Sequence, residues 1–185
     1  MDVKEAIEIR RAYRALAPVE ITDDTVRDLA DAARTAASCF NNQPWRYVFV
    51  RKPEVLAKMF ETLSDGNAWA KAASMIVAVL SRADLDCQIA GREYYLFDTG
   101  MATAHMILRA TELGLVAHPI AGYSPKKVRR VLGIPDDMSV VTLVIFGRHA
   151  DEISDLLSEE QAATEAARPE RKPFEEIAWM DGYGG

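Results

Sequence analysis

The chain has 185 residues, of which 49% are hydrophobic and 27% charged, a composition suited to one soluble globular domain with a proper core. A net charge of −6 argues against a general nucleic-acid binder, which must neutralise phosphates. Two cysteines, Cys39 and Cys87, are too few for a disulfide framework and fit a reducing compartment. The first residues lack the apolar centre of a signal peptide, and the longest uncharged run, Leu113 to Pro125, spans only 13 residues, so a cytoplasmic protein is expected.

In chain order, residues 2–11 read as a short helix, with Val3, Ala6, Ile7 and Ile9 set between charges. Thr22 or Asp23 caps a second helix expected to reach Ala37, with Val26, Leu29, Ala30, Ala33 and Ala37 on one stripe. The polar loop "SCFNNQPW" (38–45) follows, then a strand over 46–51. Pro53 opens a helix to about Thr62, and "SMIVAVLS" (74–81) is an apolar run of strand length. The segment from Arg92 to Leu113 is the longest helical candidate. It carries two apolar rows, one of Phe97, Met101, Ala104 and Leu108, the other of Leu96, Gly100, Thr103, Ile107 and Ala110. Apolar rows on more than one side predict a buried helix.

"VAHPIAGY" (116–123) reads as a short strand or extended loop, Ser124-Pro125 opens a helix that Gly133 ends, and "SVVTLVIFG" (139–147) is the strongest strand. Strands separated by helices predict an α/β or α+β domain with the long helix packed on a sheet. An acidic, Ala-rich stretch (151–168) then leads into a tail bearing Phe174, Ile177, Trp179, Met180 and Tyr183. Apolar residues that far past the last strand need cover. A partner subunit is the natural one, and packing on the same chain is the alternative.

Three residue groups carry candidate chemistry. Arg10, Arg11 and Arg14 place three guanidiniums within five residues, which repel one another and suit a phosphate. On a helix, Arg10 and Arg14 lie one turn apart on the same face. The bland alternative is a solvated patch balanced by Glu5 and Glu8. Asn41, Asn42 and Gln43 supply amides able to pair with a ring of alternating C=O and N–H edges, while Pro44 fixes the turn and Trp45 can wall a pocket. A purely structural turn explains them equally well. His105, His118 and His149 lack metal-like spacing, so no metal site is expected. Cys39 reads as a small, partly buried loop residue, with a redox thiol as the alternative, and Asp98 reads as a helix cap.

Taken together, "RR-x-x-R" ending the first helix and "S-x-F-N-x-Q-P-W-R-Y" after the second resemble the nitroreductase family of FMN-dependent oxidoreductases, whose usual loop is close to "PSSFNxQPWxF". The stretches "DTGMATAHMILRATELGL" (98–115), "HPIAGY" (118–123), "VRRVLGIPDD" (128–137) and "RKPFEEI" (171–177) follow the family's order, so the resemblance covers nearly the whole chain. It implies a single α+β domain, 1–185, with a central mixed or antiparallel sheet among helices, a long buried helix, and a C-terminal extension near 169–185 that wraps a partner in a homodimer.

The resemblance also implies roles. Arg10 and Arg14 match the positions that hold the FMN phosphate and ribityl chain, Arg11 the one at the ring's pyrimidine side, and Arg171 a late basic residue that returns to the phosphate. Asn41 matches the asparagine near the flavin's reactive edge, Ser38 and Cys39 a serine pair lining the cofactor from the second subunit, and Ile120, Ala121 and Gly122 a segment packed near the ring. Phe40 and His118 are expected to face substrate. Ala12 stands where a serine is usual, Ala37 where a proline is usual, and His105 where an asparagine is common. The implied reaction passes hydride from NADH or NADPH to the flavin and on to a nitroaromatic, quinone or similar acceptor by a ping-pong mechanism. A dehydrogenase that does not use NAD(P)H, or a non-catalytic flavin-binding module, would share the same pocket. No nucleic acid or membrane is an expected partner.

Overall fold

The computed structural model describes residues 1–184. The chain runs α1 (Val3–Ile9), β1 (Leu16–Ala17), α2 (Asp23–Arg34), β2 (Arg46–Val50), α3 (Pro53–Phe60), β3 (Met75–Ser81), β4 (Gln88–Ile89), β5 (Arg92–Glu93), α4 (Tyr95–Glu112), β6 (Val116–Ile120), α5 (Pro125–Leu132), β7 (Ser139–His149) and α6 (Glu159–Ala166). Short 3-10 turns intervene at Cys39–Asn41, Asp65–Ala72, Ala83–Leu85 and Phe174–Glu176.

The two strongest apolar runs become the centre of the sheet. β3 and β7 pair with each other along nearly their whole length, β2 flanks β3, and β1 and β6 both pair with β7. Every pairing is antiparallel. Successive side chains of a strand point to opposite faces, and here both faces are covered. Ile76, Ala78, Leu80, Leu143 and Ile145 face a core shared with Leu56, Met59, Trp69 and Val128 of the α3 and α5 side. Met75, Val77, Val79, Val144 and Phe146 face a second core with Leu29, Ala33, Ala102 and Met106 of α2 and α4. A strand buried on both sides reads as a continuous apolar run, which is why these two were the clearest in the sequence.

Local signals place the helix ends. Thr22 Oγ1 accepts the Thr25 N–H, Ser124 Oγ accepts the Lys127 N–H, and Ser158 with Gln161 forms a reciprocal capping box. Gly133, at φ 65°, ends α5 in the left-handed conformation that glycine adopts without a Cβ clash. The second helix stops at Arg34, short of Ala37, and the acidic stretch is helical only over α6. The long helix departs from expectation in a telling way. Asp98, Thr99, Ala102, Thr103, Met106 and Ala110 are buried, but the expected apolar row beginning at Phe97 faces outward, with Phe97 itself 64% exposed. Met101 and Leu108 of that row are partly buried and Ala104, like Phe97, is exposed, so α4 is half buried.

In the tail, Trp179 and Tyr183 rest on each other at 4.3 Å between ring centroids, while Phe174, Ile177, Met180 and Tyr183 stay exposed. Gly185, the last residue of the expected extension, lies outside the described residues. No described helix is long and apolar enough to cross a membrane.

Candidate functional site

α1 ends at Ile9, two residues before the expected end at Arg11 and well short of Arg14. Arg10 caps it with ψ 122°, and the chain then runs non-helically through Arg14 toward β1. Arg10 and Arg14 are therefore not neighbours on a helix face. Three guanidiniums stacked on one helical turn would repel, and α1 offers no acidic residue beside them after Glu8.

What gathers the arginines is the other end of the chain. Arg10, Arg11, Ala12 and Arg14 line a cavity of about 190 Å³ together with Thr164, Arg168, Pro169 and Arg171. The two segments are laced together. Arg11 donates to the Thr164 and Glu165 carbonyls at 2.8 and 3.2 Å, and Arg14 donates to Thr164 Oγ1 at 3.2 Å. The buried Glu165 accepts the Arg14 backbone N–H at 2.7 Å and faces His149 Nε2 at 3.6 Å. Arg168 donates to the carbonyls of Glu8 and Arg10. Among the described residues, none of Arg10, Arg11, Arg14, Arg168 or Arg171 pairs with a carboxylate side chain. Burial first, then the charges of Arg168 and Arg171, hold the Arg10 guanidinium below its usual range. The arrangement is a concentration of positive charge awaiting an anion.

The Arg11 guanidinium lies 4.5 Å from the Tyr13 ring centroid and is tied to the end of α6, so it forms a wall of the arginine cavity. Thr164 and Arg168 were not singled out in the sequence; Arg168, three residues before Arg171 in "RPER", was the available signal.

The "SCFNNQPW" loop is a separate feature, and none of its residues lines the arginine cavity. Phe40, Asn41 and Gln43 have φ of 48°, 58° and 49°, a region non-glycine residues seldom occupy. The loop is held there by Gln43 N–H to Ser38 Oγ at 3.0 Å, Gln43 Nε2 to the Asn41 carbonyl at 3.2 Å, and Cys39 N–H to buried Asp98 at 2.7 Å. Asn41 is exposed, and Phe40 is 86% exposed with nothing over it. Trp45 does not wall a pocket; it is buried in the core with Leu29 and Ala33. Cys39, read as a small, partly buried loop residue, is bonded to Cys87, its Cα 6.0 Å away. Asp98 does sit in the first turn of α4, but its carboxylate is turned to the Cys39 N–H.

Two further expectations change. His118 is buried, donates from Nδ1 to the Tyr13 carbonyl (3.0 Å) and lies 4.6 Å from the Trp69 ring centroid, so it is turned into the core and supports the arginine segment from beneath. Burial, outweighing the Tyr13 contact, lowers its pKa to about 4. Ile120 is buried in the sheet core and Ala121 is exposed. At Gly122 the close approach is made by Ser64 and Asn67, whose side chains both donate to the Gly122 carbonyl, and a Cβ there would strike them.

With this geometry in hand, the comparisons with known proteins agree with one another. A profile of the Nitroreductase family matches residues 7–148. A protein of Archaeoglobus fulgidus named for NADH dehydrogenase/NAD(P)H nitroreductase is 31% identical over 150 residues, covering 79% of this chain and 84% of that protein. An NADH dehydrogenase of Thermus thermophilus is 24% identical over 188 residues, covering 82% and 89%. A solved structure described as an oxidoreductase containing FMN superposes with a TM-score of 0.86 at 28% identity, over 100% of this chain and 94% of the other. By sequence profile, curated relative and fold alike, the chain belongs to the nitroreductase family.

Proposed function

We propose that the protein is an FMN-dependent oxidoreductase that takes electrons from NADH or NADPH and gives them to an electron-poor acceptor such as a nitroaromatic or quinone. The observation that carries this reading is the arginine cavity, in which guanidiniums from both segments converge and, among the described residues, none pairs with a carboxylate side chain. That donor set fits a phosphate monoester. Arg10, Arg14 and Arg171 supply charge-assisted N–H donors, and Ala12, with no side chain beyond Cβ, leaves its backbone open to the ligand. Bound FMN would supply the two-electron redox chemistry, while the protein supplies binding, orientation and electrostatics. Arg11 and Glu165 hold the cavity wall in place, and His118 braces it from the core.

The exposed loop with Ser38, Phe40 and Asn41 is assigned to the ring end of a site shared across a homodimer, with substrate over Phe40. The outward-facing row of α4 and the apolar tail supply the surface such a dimer would bury. The relatives' names and the FMN in the neighbour's description support the same activity. Donor and acceptor then take turns at one place, which makes initial-rate lines parallel when both concentrations are varied.

The test is an absorbance spectrum of the purified protein before and after anaerobic NADH and NADPH. Flavin bands that either nucleotide bleaches support the reading and identify the donor. Flavin that neither bleaches overturns the NAD(P)H-dependent activity, and a protein that takes up no FMN overturns the cavity assignment.

A further inference from the structure

The Cys39–Cys87 bridge joins two loops and no core element. Cys39 opens the 3-10 turn after α2, and Cys87 ends the connection from β3 to β4. Both cysteines are partly exposed. The fold does not depend on this link, because two apolar cores already grip both faces of the sheet. Structural bridges and buried cysteines are inert, whereas exposed ones in polar surroundings are the labile ones.

The surroundings here are polar and specific. Asn42 Nδ2 donates to Cys87 Sγ at 3.4 Å and to Asp86 Oδ1 at 3.3 Å. The two sulfurs and an Asp86 carboxylate oxygen lie within 4.8 Å of one another. Asp86 Oδ2 is buried with no hydrogen-bond partner, and the Asp98 carboxyl lies within hydrogen-bonding reach of Asp86. A proton on Asp98 gives Asp86 Oδ2 its missing donor. Burial, with the Asp86 charge adding to it and the Cys39 N–H opposing, pushes Asp98 above the ordinary carboxylate range.

We propose that Cys39 and Cys87 form a redox-active pair that exchanges with a dithiol reductant, and that its state sets the geometry of the loop carrying Ser38 and Asn41. The reductant's thiolate attacks Cys39 Sγ, the S–S bond breaks, and Cys87 leaves. Asn42 Nδ2–H steadies the Cys87 thiolate, which takes the proton held on Asp98 and leaves the carboxyl pair without one. The reductant's second thiol loses its proton to that pair and attacks the mixed disulfide. Cys39 is released and picks up a proton from water, and the reductant departs as a cyclic disulfide. The protein gains two electrons and two protons, and the dithiol loses the same. Once the bridge opens, Phe40, Asn41 and Gln43 lose one restraint on their left-handed conformations, and the loop relaxes. The consequence for cofactor binding rests on the FMN reading; the exchange itself does not.

The test measures free thiols in the native protein after incubation with dithiothreitol, beside the same protein in denaturant. Two thiols should appear in the native state, re-form the bridge on removal of reductant, and leave the far-UV circular dichroism unchanged. Asp86→Asn and Asn42→Ala should slow the native reduction roughly tenfold while leaving the denatured rate alone. A bridge that opens only on unfolding, or native rates equal in wild type and both variants, overturns the proposal. A fluorescence titration with FMN completes it. An affinity that differs between the bridged protein and Cys87→Ser supports control of the loop, and equal affinities overturn that part alone.

Discussion

Arg10 is a half-buried cation whose nearest charges are Arg168 and Arg171, an arrangement that costs stability until an anion arrives. Arg10→Ala should therefore weaken FMN binding by roughly ten- to a hundredfold, the loss expected for one or two charge-assisted hydrogen bonds. The apo-protein should melt no earlier than wild type, because one of three like charges is gone. Fluorescence titration and apo melting curves check both halves. His118 gives a second residue-scale prediction. Its folded pKa of about 4 lies below the unfolded value of 6.5, so the unfolded chain binds more protons between the two. Its contribution is complete above pH 6.5 and is lost as pH falls toward 4, by roughly 3 kcal/mol at most. Urea midpoints across that window should fall less steeply in His118→Gln than in wild type. The sequence held the clue to this burial. Val116, His118 and Ile120 alternate along β6, and their face is the one packed on Trp69, a pattern that proximity to Pro119 obscured.

Among the elements, α2 and α4 are tied by a two-pronged ion pair, Arg109 Nε to Asp28 Oδ1 at 2.9 Å and Arg109 to Asp28 Oδ2 at 2.6 Å. The hydrogen bond from Arg109 holds the Asp28 carboxyl below its usual range. Both side chains are partly exposed, so Asp28→Ala should cost about 1 kcal/mol or less, read as a small drop in the denaturation midpoint. Strands β3 and β7 were legible because double-sided burial writes itself as an unbroken apolar run. The hairpin of β4 and β5 was not, since Gln88, Ile89, Arg92 and Glu93 carry no apolar pattern and are exposed. The early end of α1 was hidden for a related reason. No glycine or proline marks it, and the change of backbone at Arg10 follows from tertiary contacts with Arg168 and Thr164.

At the scale of the whole molecule, uncovered apolar surface is concentrated on Phe97 and Leu96 of α4, Val3 and Ile7 of α1, and the tail from Phe174 to Tyr183. A groove of about 360 Å³ runs between α1, α2 and α4, lined by Val3, Ala32, His105 and Leu108 among others. Sedimentation should give twice the chain mass, and Phe97→Glu should shift the protein toward monomer and lower FMN content together. A monomeric wild type that retains FMN would refute the shared site. The tail was visible in the sequence as apolar residues in want of cover, whereas both apolar rows of α4 read as buried. The cysteine pairing was not visible, because 48 residues separate the two and only the folded loops bring them together.

The anion cavity is closed by residues lying 153 positions apart, Arg11 and Thr164. During synthesis the sheet can be complete while half of that cavity is still inside the ribosome. Loading of a phosphate-bearing cofactor would then follow the emergence of α6 and come after the sheet has folded. The exposed connection between β7 and α6 carries the same logic into the protein's later life. A single proteolytic cut there would discharge the cofactor while the sheet and both of its cores stood unchanged, leaving a folded but colourless remnant.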